Sequence, residues 1–176
     1  INDDTAWLRK AVRWVVNIVV AIACGWFLVY GFGEQVLISG NSMQPQLSAQ
    51  DVVLMNRIIY VTGTPDRFDV VIFEREDGKK NVKRIIGLPG ETVQIRDSRV
   101  YIDGEPLKED KMGEVSLAGR AADPVRLGEK EYFLLGDNRG SSEDSRFPNI
   151  GNVKREQILG KAWFRMLPLL NLGFVS

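Results

Sequence analysis

The chain has 176 residues, 23 acidic and 23 basic, with 44% hydrophobic residues; this allows one globular domain plus an anchor and leaves no charge excess to attract nucleic acid. It contains no histidine and a single cysteine, Cys24, which excludes a Ser-His-Asp triad, a histidine metal site, an internal disulfide and a cysteine-rich zinc cluster. Any hydrolytic chemistry must rest on Ser, Thr, Lys, Tyr or carboxylates, and no metal or cofactor is expected.

Between Arg13 and Glu34 lie 20 uncharged residues, WVVNIVVAIACGWFLVYGFG. A helix of that length covers the roughly 30 Å hydrocarbon core of a bilayer, so residues 14–33 are expected to form a transmembrane helix. Trp14, Trp26, Phe27, Tyr30 and Phe32 gather towards its ends as interfacial anchors do, and Asn17 and Gly25 are its weak points. A buried core helix and a cleaved secretory signal compete with this reading; the length of the apolar run argues against both. Arg9, Lys10 and Arg13 precede the span, and by the positive-inside rule they hold residues 1–13 in the cytoplasm despite Asp3 and Asp4. Residues 34–176 are then expected outside a plasma membrane that the chain crosses once.

From residue 36 the pattern changes to short runs rich in β-branched and aromatic residues. The expected strands are VLI (36–38), DVVLMNRIIYV (51–61), DVVIFER (69–75), NVKRIIG (81–87), TVQIR (92–96), RVYID (99–103), EYFLLG (131–136) and KAWFRM (161–166). Pro65, Pro89-Gly90, Asp103-Gly104 and Gly136-Asp137 mark turns between them. The result is a mainly β domain. Residues 104–130 are polar and aperiodic and read as an inserted loop or small cap, while the apolar tail LPLLNLGFV is too short to span and is expected to pack on the domain or touch the membrane surface.

Three stretches carry chemistry. In ISGNSMQPQL (38–47) a serine follows an apolar run, and serine is a poor nucleophile unless a base takes its proton. In NVKRIIG, strand alternation places Val82, Arg84 and Ile86 on one side and Lys83 with Ile85 on the other. Lys83 is therefore either a solvated strand lysine or one facing an apolar interior, where burial lowers its pKa towards that of a neutral base. GDNRGSSEDSRFPNIG (136–151) reads as a solvated turn, or as a loop fixed by pairing among Asp137, Arg139, Asp144 and Arg146, with Ser142 and Ser145 able to position a neighbour.

SGNSMQPQL, VKRIIGLPGE and GDNRGSSEDSR, in that order behind an N-terminal span, closely resemble the signature boxes of the bacterial type I signal peptidases, and the resemblance covers nearly the whole chain. It implies the mainly β Ser/Lys protease fold shared with SOS-repressor-like proteins, preceded by one transmembrane helix, and removal of signal peptides from secretory preproteins after small-x-small motifs. By that similarity Ser42 is the nucleophile, Lys83 the general base, and Ser142 the serine that hydrogen-bonds the lysine. Asp137, Arg139, Asp144 and Arg146 would brace the site, Arg84 pairing with one of these carboxylates. The Ser42 amide is the oxyanion donor; Gly40 stands where some members carry a second donor, a serine, which leaves Ser39, Asn41 or water to replace it.

Val36, Ile38, Met43, Leu47 and Val82 are expected to line shallow pockets for small substrate side chains, a core role competing at each. Two departures from the family pattern, Gln46 where threonine is usual and Asn81 where an aromatic is frequent, bear on pocket shape. Signal peptides and the lipid bilayer are the implied partners, with no nucleic acid and with the oligomeric state left open. A non-catalytic relative assisting surface-protein or pilus assembly would be expected to lack Ser42 or Lys83. A self-cleaving repressor would carry a DNA-binding domain in place of the span.

Overall fold

The computed structural model describes residues 6–108 and 110–175. Helix α1 (Ala6–Phe32) is joined to strand β1 (Glu34–Leu37) by Gly33 alone. It begins earlier than the uncharged run, so Arg9, Lys10 and Arg13 are helical. Its stretch Trp7–Leu28 is long and apolar enough to cross a membrane and is not buried against the rest of the protein. Asp3 and Asp4, and the side chains of Tyr30 and Phe32, lie outside what is described.

The remainder is mainly β, as expected from the sequence. Antiparallel strands β1, β2 (Val52–Asn56), β3 (Val70–Glu74), β4 (Lys80–Gly87), β9 (Glu131–Leu135), β10 (Val153–Lys154), β11 (Ile158–Leu167) and β12 (Gly173–Phe174) form one eight-stranded sheet in the order β1-β2-β11-β3-β4-β9-β10, with β12 paired to β11. A second sheet of four strands has the order β7-β6-β5-β8, from β5 (Thr92–Arg96), β6 (Arg99–Ile102), β7 (Glu105–Pro106) and β8 (Val125–Arg126). Ile86, Phe133 and Leu135 of the large sheet pack with Val93, Ile95, Val100 and Val125 of the small one into one core. A further core gathers Val36, Ile38, Met43, Leu47, Val53 and Met55 behind β1 and β2.

Two expectations are corrected. The run 51–61 is a strand only to Asn56; the Asn56 Oδ1 accepts the Ile59 N–H at 3.1 Å, and a short helix α2 (Ile59–Thr62) follows. Residues 104–130 are more than a loop, because β7 and β8 complete the small sheet on either side of β6 and β5. The tail packs on the domain as expected: Gly173 and Phe174 add β12 beside β11, pairing with Arg165 and Phe164, and Val175 is buried in the core.

For function, the pairing of β4 matters most. Its residues 80–84 pair with β3, whereas β9 joins the other edge only from Arg84 onward. Residues 80–83 therefore keep one edge without a strand partner among the described residues. Both faces of β4 are covered, so Val82, Lys83, Arg84, Ile85 and Ile86 are all buried. Alternation survives in the register, since Lys83 lies opposite Val71 and shares a face with Ile85.

Candidate active site

A tight turn after β1 presents Ser42. The Gln44 N–H bonds the Asn41 carbonyl at 3.2 Å and the Leu47 N–H bonds the Met43 carbonyl at 2.8 Å, while Met43 and Leu47 are buried beneath. The turn is tied back to β1 and β2, because Ile38 N–H donates to the Asp51 carbonyl and Gln50 N–H to the Ile38 carbonyl, each at 2.8 Å. Arg165 of β11 steadies its far side by donating to the Gln46 carbonyl at 2.9 Å.

Strand β4 brings Lys83 to the same point, its Nζ 2.7 Å from Ser42 Oγ. Lys83 is only 4% exposed. Burial lowers its pKa to about 8, against the opposing attraction of Asp144, Glu143 and Asp137 for the charged form, with Arg75 adding to the lowering. The apolar-interior reading of Lys83 is the one realised, and near neutral pH a useful fraction of the amine carries a free lone pair facing a hydroxyl.

The 136–146 loop closes over this pair. Arg84 donates through Nε and Nη2 to the two Asp137 carboxylate oxygens at 2.8 and 2.7 Å, both side chains buried. Arg146 pairs with Asp144, donating to Oδ1 at 2.8 Å and to Oδ2 at 2.9 Å. The Asn138 N–H donates to the Ser42 carbonyl at 3.0 Å, and Asn138 Nδ2 donates to the Asn41 carbonyl at 3.2 Å. Gly136 is required by close approach: a Cβ there would lie 2.1 Å from Ser142 Oγ and 2.5 Å from the Ser42 carbonyl oxygen. Asn138 was not singled out in the sequence, although it stands inside the third box between two residues that were.

Two of the expected site residues make contacts that the sequence did not specify. Ser142 is buried against Gly136, and among the described residues its hydroxyl has no hydrogen-bond partner. Arg139 finds its carboxylate outside the box, in Asp110, at 2.7 and 2.6 Å. Nothing in the polar 104–130 stretch marked Asp110, because a single aspartate in a charged loop has no pattern.

A cleft of about 80 Å³ runs between the two segments, lined by Val36 to Gly40, Ser42 and Met43 on one side and Lys80 to Lys83 on the other. Since about 10–15 Å³ of such space holds one water, the cleft has room for a few waters or a small side chain. Val36, Ile38, Met43 and Val82 line it as expected, whereas Leu47 is fully buried in the core and does not. Asn81, expected to bear on pocket shape, and Ser39, named as a possible replacement donor, line it as well, while Leu37 and Lys80 do so without having been expected. At Gly40 a Cβ would meet nothing within 4 Å, so the cleft wall there is open. The Asn41 Oδ1 accepts from Gln44 Nε2 at 3.3 Å.

Comparison with known proteins matches residues 11–167 to the family described as signal peptidase, peptidase S26. The probable signal peptidase I-2 of Synechocystis sp. is 31% identical over 98% of this chain and 79% of its own length. Signal peptidase I T of Bacillus subtilis is 35% identical over 89% of this chain and 85% of its own. A crystal structure of a signal peptidase I from Enterococcus faecalis V583 overlays with a TM-score of 0.48 at 36% identity, covering 56% of this chain and 97% of that one. With the match extending from the helix through β11, the chain belongs to the signal peptidase family, peptidase S26.

Proposed function

We propose that this protein is a membrane-anchored serine endopeptidase that removes N-terminal signal peptides from secreted preproteins, with Ser42 as nucleophile and Lys83 as general base. The observation that carries the assignment is the 2.7 Å contact of a buried lysine amine with a serine hydroxyl at the end of a small cleft. Neutral Lys83 takes the Oγ proton as Oγ attacks the scissile carbonyl carbon. The negative charge developing on the carbonyl oxygen is met by the Ser42 N–H. When the C–N bond breaks, the Lys83 ammonium returns its proton to the leaving amine. A water then loses a proton to Lys83 as it attacks the acyl ester, and Ser42 Oγ leaves with that proton.

The substrate would enter extended. The free edge of residues 80–83 offers backbone groups for strand addition, and the cleft beside it has space for the small residues of a small-x-small motif. Arg84, Asp137, Asp144 and Arg146 hold the loop that presses on the nucleophile turn; none needs to touch substrate.

The helix α1 would cross the membrane, with Arg9, Lys10 and Arg13 on the cytoplasmic side and residues 34–176 forming the extracytoplasmic catalytic domain. Gly33 as sole connection keeps the sheet close to the bilayer, and the exposed Leu169, Leu170, Leu172 and Phe174 give that domain an apolar rim suited to the membrane surface.

The test is incubation of the full chain in detergent with a preprotein carrying an Ala-x-Ala site, beside Ser42→Ala and Lys83→Ala, with products read by mass spectrometry. Cleavage after the second alanine, absent in both variants, supports the assignment. Cleavage by either folded variant overturns the dyad, and no cleavage by the wild type favours a non-catalytic assembly role.

A further inference from the structure

Three buried arginines hold the loop over the active site, and they differ in where their counter-charge comes from. Arg84 and Arg146 use carboxylates of the loop itself, Asp137 and Asp144. Arg139, only 4% exposed, has none there and takes both oxygens of Asp110, which lies in the segment joining β7 to β8. The same segment is fastened at two more points: Arg146 Nη1 donates to the Leu117 carbonyl at 3.0 Å, and the Arg120 N–H donates to the Arg146 carbonyl at 2.9 Å.

What Arg139 does with the rest of its guanidinium connects this brace to the chemistry. Its Nε donates to the Gly136 carbonyl at 3.1 Å. Gly136 is the residue packed without room for a methyl group against Ser142 and the Ser42 carbonyl, and two residues on, Asn138 donates to that same carbonyl. A bidentate pair fixes a guanidinium in direction as well as in distance. Without its partner carboxylate, a buried guanidinium moves towards water or another acceptor. Either motion releases the Gly136 carbonyl and loosens the surface on which Ser42 rests.

We infer that Asp110 is a positioning residue of the cleavage reaction, acting through Arg139 and Gly136 to hold Ser42 in line with Lys83. This rests on the reading of Ser42 as nucleophile. It makes the segment from residue 110 to residue 121 part of the catalytic machinery and gives the small sheet a function beyond packing.

The experiment compares wild type, Asp110→Asn and Asp110→Glu, as full chains in one detergent, on an Ala-x-Ala peptide. It measures kcat and KM, with circular dichroism and the thermal midpoint to establish folding. The asparagine keeps the shape and removes the charge. Its kcat is expected to fall about tenfold or more with KM within about twofold, the pattern of a misplaced reacting group, and Asp110→Glu should regain at least half of the loss. A kcat within about twofold of wild type in folded Asp110→Asn, or a loss that glutamate does not recover, overturns the inference. Should the asparagine variant fail to fold, Asp110→Leu combined with Arg139→Met removes both charges together; wild-type kcat in that variant overturns positioning, and a kcat still tenfold down supports it. Absence of cleavage by the wild type, or cleavage by Ser42→Ala, would bring down the functional reading and this inference with it. Normal wild-type cleavage with an unaffected Asp110→Asn removes only the inference.

Discussion

Replacing Lys83 by methionine should stabilise the fold while abolishing cleavage, because the amine is placed for chemistry at the expense of solvation. Its pKa falls from 10.5 to about 8 on folding, chiefly through burial. At roughly 1.4 kcal/mol per pKa unit, that drop corresponds to about 3 kcal/mol of destabilisation below about pH 8, where the buried amine still carries its proton and its charge. The lost hydrogen bond to Ser42 offsets about 1 kcal/mol of the gain, so Lys83→Met should be more stable by about 2 kcal/mol at pH 7. The sign of the pH dependence follows from the lower folded pKa. Between about 8 and 10.5 the unfolded chain binds more protons than the folded one, so wild-type stability rises with pH there and its deficit against the variant closes. The deficit is complete below about pH 8 and gone above the unfolded pKa. Denaturant unfolding of both proteins in the same detergent at pH 7, 9 and 10.5 measures this. A methionine variant that is less stable at pH 7, or a difference that stays constant with pH, would show that burial does not hold the lysine pKa near 8.

Further expectations concern the loop. Gly136→Ala drives a methyl group into Ser142 and the Ser42 carbonyl, and displacement of the nucleophile by about 1 Å should lower kcat by roughly 10²-fold; a steady-state assay with near-normal kcat would mean the loop yields without moving Ser42. Arg84→Met leaves Asp137 as a buried, unpaired carboxylate and should cost about 3 to 5 kcal/mol. Arg84→Met with Asp137→Leu should recover most of that loss, and denaturation midpoints showing additive losses would rule out the pair as the unit.

Much of the site was legible because its residues sit in patterned strands or in dense polar boxes. Alternation along NVKRIIG put Lys83 on the face of Ile85, and the register opposite Val71 agrees. Ser42 and Arg84, named from the boxes, lie against Lys83 and Asp137 respectively. What escaped has a physical cause in each case. The strand 51–61 ends at Asn56 because a side-chain carbonyl captures the Ile59 amide, while the residues beyond it, IIYV, have ordinary strand composition. The two-residue strands β7 and β8 are too short to show a period, so the small sheet's completion could not be read from the 104–130 stretch. Leu47 has the same apolar character as the cleft residues but lies in the core away from the cleft. Asp110 acts through a partner 29 positions away, a relation that no local spacing encodes.

Whether a lysine whose pKa burial lowers to about 8 activates Ser42 is read most directly from the pH dependence of kcat/KM for cleavage of an Ala-x-Ala peptide by the full chain, since this ratio reports the ionisation of the free enzyme. The rate is expected to climb about tenfold per pH unit on the acid side and to level off through a midpoint close to 8, the value set by the burial of Lys83. A profile flat from about pH 6.5 to 9, or one that falls as pH rises through 8, would contradict activation by Lys83.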